Sequence, residues 1–429
     1  MHFDFDQNIE RKNTGCVKWD ESPAVSPALG GKTAEDIIPL WVADMDFAVA
    51  PAIQEAVRRR AQHPVFGYTH VGDDYYDAVI FWFDRRHHWH IEREHILYTT
   101  GVVPAMSCAI KALTMPGERV LILSPDYNCF FSSIRNNGCE VLESMLRLSR
   151  NKRETHNEQE PHPGRNEQEP YPDPNTQGRF GLDWAAFEAH CADDKATVFL
   201  LCNPHNPTGR VWTREELQRM ADICHRHHVR IVSDEIHCEL IMPGHTFCPM
   251  ATVDAEAVIL NSPSKSFNIA GLQIANIICR DAETRRRIDR AININEVCDV
   301  NPFAPEALKA AYNDSEAWLD ALNGYLWDNY QALTAFCAAH LPHWRVMPLE
   351  GTYLVWVDVS LCCNNVAAYT DSILRATGVW LNPGTMYGPV SGQGYVRINI
   401  ACPRSRLLDA LRRISEYSKP STTSIHEKE

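Results

Sequence analysis

The sequence holds no apolar run of the roughly 20 residues that a membrane-spanning helix requires, so no part of it is expected to cross a bilayer. Positive charge is also short. The formal net charge is −14, which argues against general attraction to nucleic acid or to an anionic membrane. Its 15 cysteines are scattered, with Cys362 and Cys363 adjacent, and none falls into paired C-x-x-C zinc spacing. No metal site is therefore expected. The start, "MHFDFDQNIERKN", lacks the basic region and apolar run of a secretory leader. These absences lead to the expectation of a soluble cytoplasmic protein with reduced thiols.

What is present is ample apolar content: 45% of 429 residues, enough for a buried core and for two or more domains. "ATVFLLCN" (Ala196 to Asn203), "VRIVSDE" (Val229 to Glu235) and "EAVILNS" (Glu256 to Ser262) read as short buried strands. Between the first two, "TREELQRMADICHRHH" reads as a helix. Thr213 and Glu216 form a capping box, and Leu217, Met220, Ala221 and Cys224 share one face. Strand, helix, strand predicts a parallel sheet. "RVLILSPD" (Arg119 to Asp126) is a further strand, after a helical stretch from Ala105 to Leu113. The expected architecture is α/β: a large domain over 46–295 with a mostly parallel, doubly wound sheet, and a smaller α+β domain over 296–418 containing "GTYLVWVDV" and "GYVRINIAC". Residues 1–45 are expected to pack with the smaller domain, 149–179 to form a polar surface insertion with an internal echo ("NEQEPHP", "NEQEPYP"), and 419–429 to fray.

Ligands of open parallel sheets gather beyond the carboxyl ends of the strands. Here each of the three central strands delivers polar groups there: Asn203 and Asn206 in "NPHNPTG", Asp234 with Glu235 and His237, and Ser262 with Lys265. "YTTGVVPAMSCAI" adds a glycine followed by a helix start, a shape suited to anions. Lys265 could be a surface lysine with its stem on apolar neighbours, but it sits among small residues after a buried strand, which points to chemistry. An amine, a carboxylate, an amide and an anion cradle are what pyridoxal 5'-phosphate needs.

"NPHNPTG", "SDEIH" and "SPSKSFNIAGLQ" resemble the motifs of fold-type I pyridoxal-phosphate enzymes, the aspartate aminotransferase superfamily. Within it, "TGCVKWD", "IPLWVADMDF", "VFGYT" and "TTGVVPAMS" resemble the MalY/PatB-type cystathionine β-lyases, or C–S lyases. The resemblance runs from about residue 11 to about 415 and implies the following roles. Lys265 is the catalytic residue and carries the cofactor. Asp234 pairs with its ring nitrogen, Asn206 and His237 face its phenolic oxygen, and Tyr127 stacks on the ring. The Val102 and Val103 amides with Ser262 take the phosphate. Tyr68, in "FGYT", reaches the phosphate of a neighbouring subunit, which implies a homodimer with shared active sites. Arg397, in "YVRINIA", clamps the substrate α-carboxylate, with Ala43 and Asn206 beside it. Many aminotransferases carry an arginine at the position of Gln273 and a tyrosine at that of His237; both departures are familiar in the C–S lyases. The implied reaction is α,β-elimination of cystathionine or a related cysteine conjugate to a thiol, pyruvate and ammonia. The alternatives are an aminotransferase using the same residues and a regulatory protein that senses the cofactor. The second needs a basic DNA-binding segment, for which about 40 residues ahead of the large-domain motifs are too few.

Overall fold

The computed structural model describes residues 3–20, 36–148 and 178–418. Apart from its last two residues, the 149–179 insertion lies outside the described residues, as does the 419–429 tail.

The apolar runs become the middle of a seven-stranded sheet. In chain order its strands are β1 (Ile96–Thr99), β2 (Arg119–Ser124), β3 (Glu140–Met145), β4 (Ala196–Cys202), β5 (Arg230–Asp234), β6 (Val258–Asn261) and β7 (Ala275–Ile278). They lie in the order β1-β7-β6-β5-β4-β2-β3. Only β7 runs antiparallel to its neighbours, so the sheet is mostly parallel as expected. The strands read as unbroken apolar runs because both faces are covered. Val120, Ile122, Val198, Leu200, Val232 and Leu260 point to one face, where the helix Val102–Leu113 packs. Their neighbours Leu121, Leu123, Phe199, Leu201, Ile231 and Ile259 point to the other, with Leu217 and Met220 of the helix Arg214–Arg226. The alternation is the pleat of a strand buried on both sides.

The Thr213–Glu216 capping box forms as read. The Glu216 amide donates to Thr213 Oγ1 at 3.2 Å and the Thr213 amide to Glu216 Oε2 at 2.9 Å. Gly209 ends the "NPHNPTG" turn at φ 72°, where a Cβ would meet Leu349 Cδ1 at 2.9 Å. Glycine alone fits this left-handed, crowded corner, and the corner sets the path of the Asn206 loop.

A four-stranded antiparallel sheet follows: β8 (Arg345–Val346), β9 (Leu354–Asp358), β10 (Asn382–Pro383) and β11 (Tyr395–Asn399), in the order β8-β9-β11-β10. Towards the chain start, Ile38–Pro39 pairs in parallel with Val379–Trp380. Residues 41–47 then run between the two sheets.

Asp46 anchors that crossing. Its carboxylate, fully shielded, meets Arg11 at 2.6 Å, Lys18 at 3.2 Å and Arg406 at 3.1 Å. The Trp19 indole N–H donates to it at 3.0 Å. Burial pushes the Asp46 carboxyl up, but the cations and the indole outweigh it and hold the group below the usual carboxylate range. A carboxyl depressed in the folded state adds stability above its unfolded pKa and loses it as pH falls. Substituting Asp46→Asn removes the nearer of the two carboxylates that face the fully buried Lys18 ammonium, Asp44 standing at 3.5 Å. The expected cost is about 3–5 kcal/mol, as for other broken buried pairs. Urea unfolding of the D46N variant at neutral pH measures it, and the gap from the parent should narrow in acid.

Candidate active site

The carboxyl ends of β4, β5 and β6 bring Asn206, Asp234 and Lys265 together, and β11 adds Arg397 from the second sheet. Lys265 is the centre. Its ammonium donates to the Ala43 carbonyl at 2.7 Å. Burial, and then the nearby Arg397, lower the Lys265 pKa to about 8, against the opposing pull of Asp44 and Asp234. Burial raises Asp234 to about 7, although the Ile236 amide (3.1 Å) and Lys265 favour its charged form. Glu235 faces away from this chemistry. Its carboxyl takes Ser233 Oγ at 3.0 Å and the Met250 amide at 2.8 Å, a packing role.

Arg397 is buried. It donates to Asn206 Oδ1 at 3.2 Å and to the Trp41 carbonyl at 2.8 Å, and its guanidinium lies 4.7 Å from the centre of the Tyr387 ring. Its Nε has no partner among the described residues, and neither has His237 Nδ1. Burial, then Lys265 and Arg397, keep His237 neutral, with its pKa lowered to about 3. Tyr127 is the residue that precedes the helix Asn128–Asn136, and it lies within the field of Arg397. Val102 and Val103 are the first two residues of the helix Val102–Leu113, where amides lack intrahelical acceptors.

Two expected residues stand differently. The Ser262 hydroxyl already donates to the Ile274 carbonyl at 2.6 Å and accepts from the Ser264 amide at 3.0 Å. Tyr68 is 97% exposed and away from this chain's own cluster.

Sequence reading missed the residues that hold the 41–47 segment over the site. Tyr353 donates to the Ala43 carbonyl at 2.9 Å. Asn399 donates to the carbonyls of Val42 and Asp44, Asn382 to that of Trp41, and Asn268 to those of Met45 and Phe47. Their targets are backbone atoms, so no side-chain pattern betrays them. Two of the asparagines sit in quoted motifs, "SKSFNIAG" and "YVRINIA", which was the only available signal.

These donors suit pyridoxal phosphate on their own chemistry. A half-buried amine of lowered pKa shares the site with a buried acid of raised pKa, whose charged form a cation would favour, and buried nitrogens of Arg397 and His237 have no partner among the described residues. The fold and the cluster define a fold-type I pyridoxal-phosphate enzyme.

The chain belongs to the class I and II aminotransferase family, whose profile matches residues 35–161 and 165–414. Within it, the chain is one of the MalY/PatB-type proteins. It is 37% identical to the cystathionine β-lyase PatB of Bacillus subtilis, covering 96% of this chain and 98% of that one. It is 33% identical to the protein MalY of Escherichia coli, covering 94% and 96%. Among solved structures, cystalysin from Treponema denticola, which contains pyridoxal 5'-phosphate, superposes with a TM-score of 0.86 at 30% identity, covering 97% of this chain and 98% of that one. The enzyme is pyridoxal-phosphate dependent.

In protein stripped of cofactor, acylation of Lys265 by an amine-selective reagent should rise through a midpoint at about pH 8. Peptide mapping across a pH series reads it. A midpoint in the range of a free lysine would mean that the ammonium is solvated.

Proposed function

We propose that this enzyme is a carbon–sulfur β-lyase that cleaves L-cystathionine or a related cysteine S-conjugate. The overall reaction is R–S–CH2–CH(NH3+)–COO− + H2O → R–SH + pyruvate + NH4+. The observation that carries it is the half-buried Lys265 amine under the influence of both Arg397 and Asp234. Relatives named as cystathionine β-lyases, together with His237 and Gln273 at the two departures from the aminotransferase pattern, favour elimination over amino transfer.

Pyridoxal phosphate supplies, when bound, an aldehyde that captures the substrate amine and a ring that takes up the electrons released at Cα. Lys265 would hold it covalently, Asp234 would keep a proton on its ring nitrogen, and Tyr127 would stack on its ring. Asn206 and His237 would face its phenolic oxygen, and the Val102 and Val103 amides its phosphate, joined by Ser262 once its hydroxyl turns from the Ile274 carbonyl.

Arg397 takes the substrate α-carboxylate, satisfying its unpartnered Nε. Lys265, increasingly unprotonated as pH rises through about 8, then removes the Cα proton. Departure of a stable thiolate from Cβ competes with proton return and tilts the outcome to elimination. The Ala43 carbonyl, held by Tyr353, keeps the amine pointed into the site.

A homodimer is part of the proposal. Val65, Phe66 and Tyr68 are all exposed on one short segment, which suits reach into a partner's site. A cytoplasmic setting fits the 15 free cysteines. A homocysteine product would serve methionine biosynthesis.

Replacing Lys265→Ala should abolish pyruvate release from cystathionine while the variant still binds cofactor, seen as a shifted absorbance band. Undiminished turnover would refute the assignment. Arg397→Lys loses the planar fork, and kcat/KM should fall by roughly 10- to 100-fold, the equivalent of one or two charge-assisted hydrogen bonds. A fall confined to kcat, with unchanged KM, would remove Arg397 from carboxylate binding.

A further inference from the structure

Away from the Lys265 cluster, three different ligand types meet where a helix end faces a turn. His87 is the last residue of the helix Asp73–His87. Cys238 and Glu239 lie in the turn just past Asp234 and His237, where the Cys238 amide donates to the Glu235 carbonyl at 3.0 Å and the Leu240 amide to the His237 carbonyl at 2.9 Å. One ligand atom from each of the three lies within 4.8 Å of the other two. His87 Nε2 stands 2.6 Å from Glu239 Oε1, and Cys238 Sγ stands 3.8 Å from the same oxygen. No ligand spacing announces the cluster in the sequence, because His87 lies far along the chain from the other two.

The three side chains are held ready. The His87 ring is set edge-on to Phe247 at 5.3 Å and lies 5.5 Å from the Phe83 ring. Glu239 is 2% exposed, and the Trp82 indole N–H donates to its Oε1 at 2.7 Å. Burial pushes the Glu239 carboxyl up, but His87, Arg86 and Trp82 outweigh it and hold the group below the usual range, so it is ionised. Its Oε2 accepts no hydrogen bond and stands 3.3 Å from Arg86 Nε. Arg86 is not reserved for Glu239: it also meets Glu316 at 2.9 Å and Asp320 at 3.0 Å, while Arg85 meets Glu316 at 3.1 Å. Two guanidiniums thus face three carboxylates, which leaves charge for a further cation. The C-terminal end of the helix favours a cation as well. His87 also lines a cavity of about 690 Å³, a path for an ion and its water.

We propose that His87, Cys238 and Glu239 form a binding site for a divalent ion of the zinc class, with water as the fourth ligand. Imidazole, thiolate and carboxylate are the three donors that zinc accepts together, whereas magnesium and calcium demand oxygen. Binding exchanges the thiol proton for the metal, Cys238–SH + Zn2+ → Cys238–S−–Zn2+ + H+, and replaces the His87–Glu239 hydrogen bond by two metal bonds. The ion would fasten the end of the helix Asp73–His87 to the loop that carries Asp234 and His237. This does not depend on which reaction the enzyme catalyses.

The test uses cofactor-loaded enzyme, dialysed against a chelator and then against zinc chloride, with bound metal counted per chain. The unaltered chain should retain one zinc ion, and His87→Gln and Cys238→Ser should each lose it. X-ray absorption at the zinc edge of the loaded parent should show a single sulfur neighbour at about 2.3 Å with nitrogen and oxygen neighbours at about 2.0–2.2 Å. No retained zinc, a shell with no sulfur or with two, or equal retention by both variants overturns the site. The spectrum is taken on the unaltered chain, so it decides even if the variants fail to fold.

Discussion

The site depends on limiting the hydration of one ammonium group while leaving it able to lose its proton. The half-buried Lys265 has the Ala43 carbonyl as its hydrogen-bond acceptor at 2.7 Å. A neutral carbonyl orients the amine without fixing its charge as a close carboxylate would. That choice passes a demand to the rest of the chain, because a carbonyl can do this only if the backbone that bears it is held still. Tyr353, Asn268, Asn382, Asn399 and Arg397 all donate to the 41–47 backbone. Asp46 then ties the same segment to Arg11, Lys18 and Arg406. The two sheets meet across it, so the integrity of the site and the docking of the C-terminal elements are one problem.

Much of the large sheet was legible because its signals are local. Ala196 to Asn203, Val229 to Glu235 and Glu256 to Ser262 are apolar, of strand length, and end in polar groups; they became β4, β5 and β6 in adjacent order. The Thr213–Glu216 cap was readable for the same reason, a spacing that only a helix start satisfies. The meeting of Lys265, Asp234 and Asn206 followed from the rule for strand ends. Arg397 did not; it reaches the cluster from the second sheet, and only the family resemblance placed it there.

What stayed hidden has a common physical cause. The segment 41–47 acts through carbonyl oxygens, which every residue type carries, so the sequence has no letter for that role. Tyr353 and the asparagines are legible only once the backbone they bind is in place. Tyr68 shows the converse. Its motif is readable, yet within a single chain the side chain meets solvent, so the role proposed for it would need a second copy.

The electrostatics couple substrate binding to proton transfer. Arg397 rests on the Tyr387 ring, an amide oxygen and a backbone carbonyl rather than on a carboxylate. Burying a cation on such partners is costly compared with an ion pair. It preserves the charge for an incoming carboxylate, which need not displace a resident one. The same uncompensated charge lowers the Lys265 pKa, second only to burial. If, as proposed, a substrate carboxylate neutralises Arg397, that contribution would fade and the Lys265 amine would become more basic. The strengthening comes at the moment when Cα presents a proton to be removed. An arginine paired in advance with an aspartate would bind substrate less well and would give Lys265 no such signal. On the proposed reading, an Arg397 without a resident carboxylate would serve both binding and catalysis.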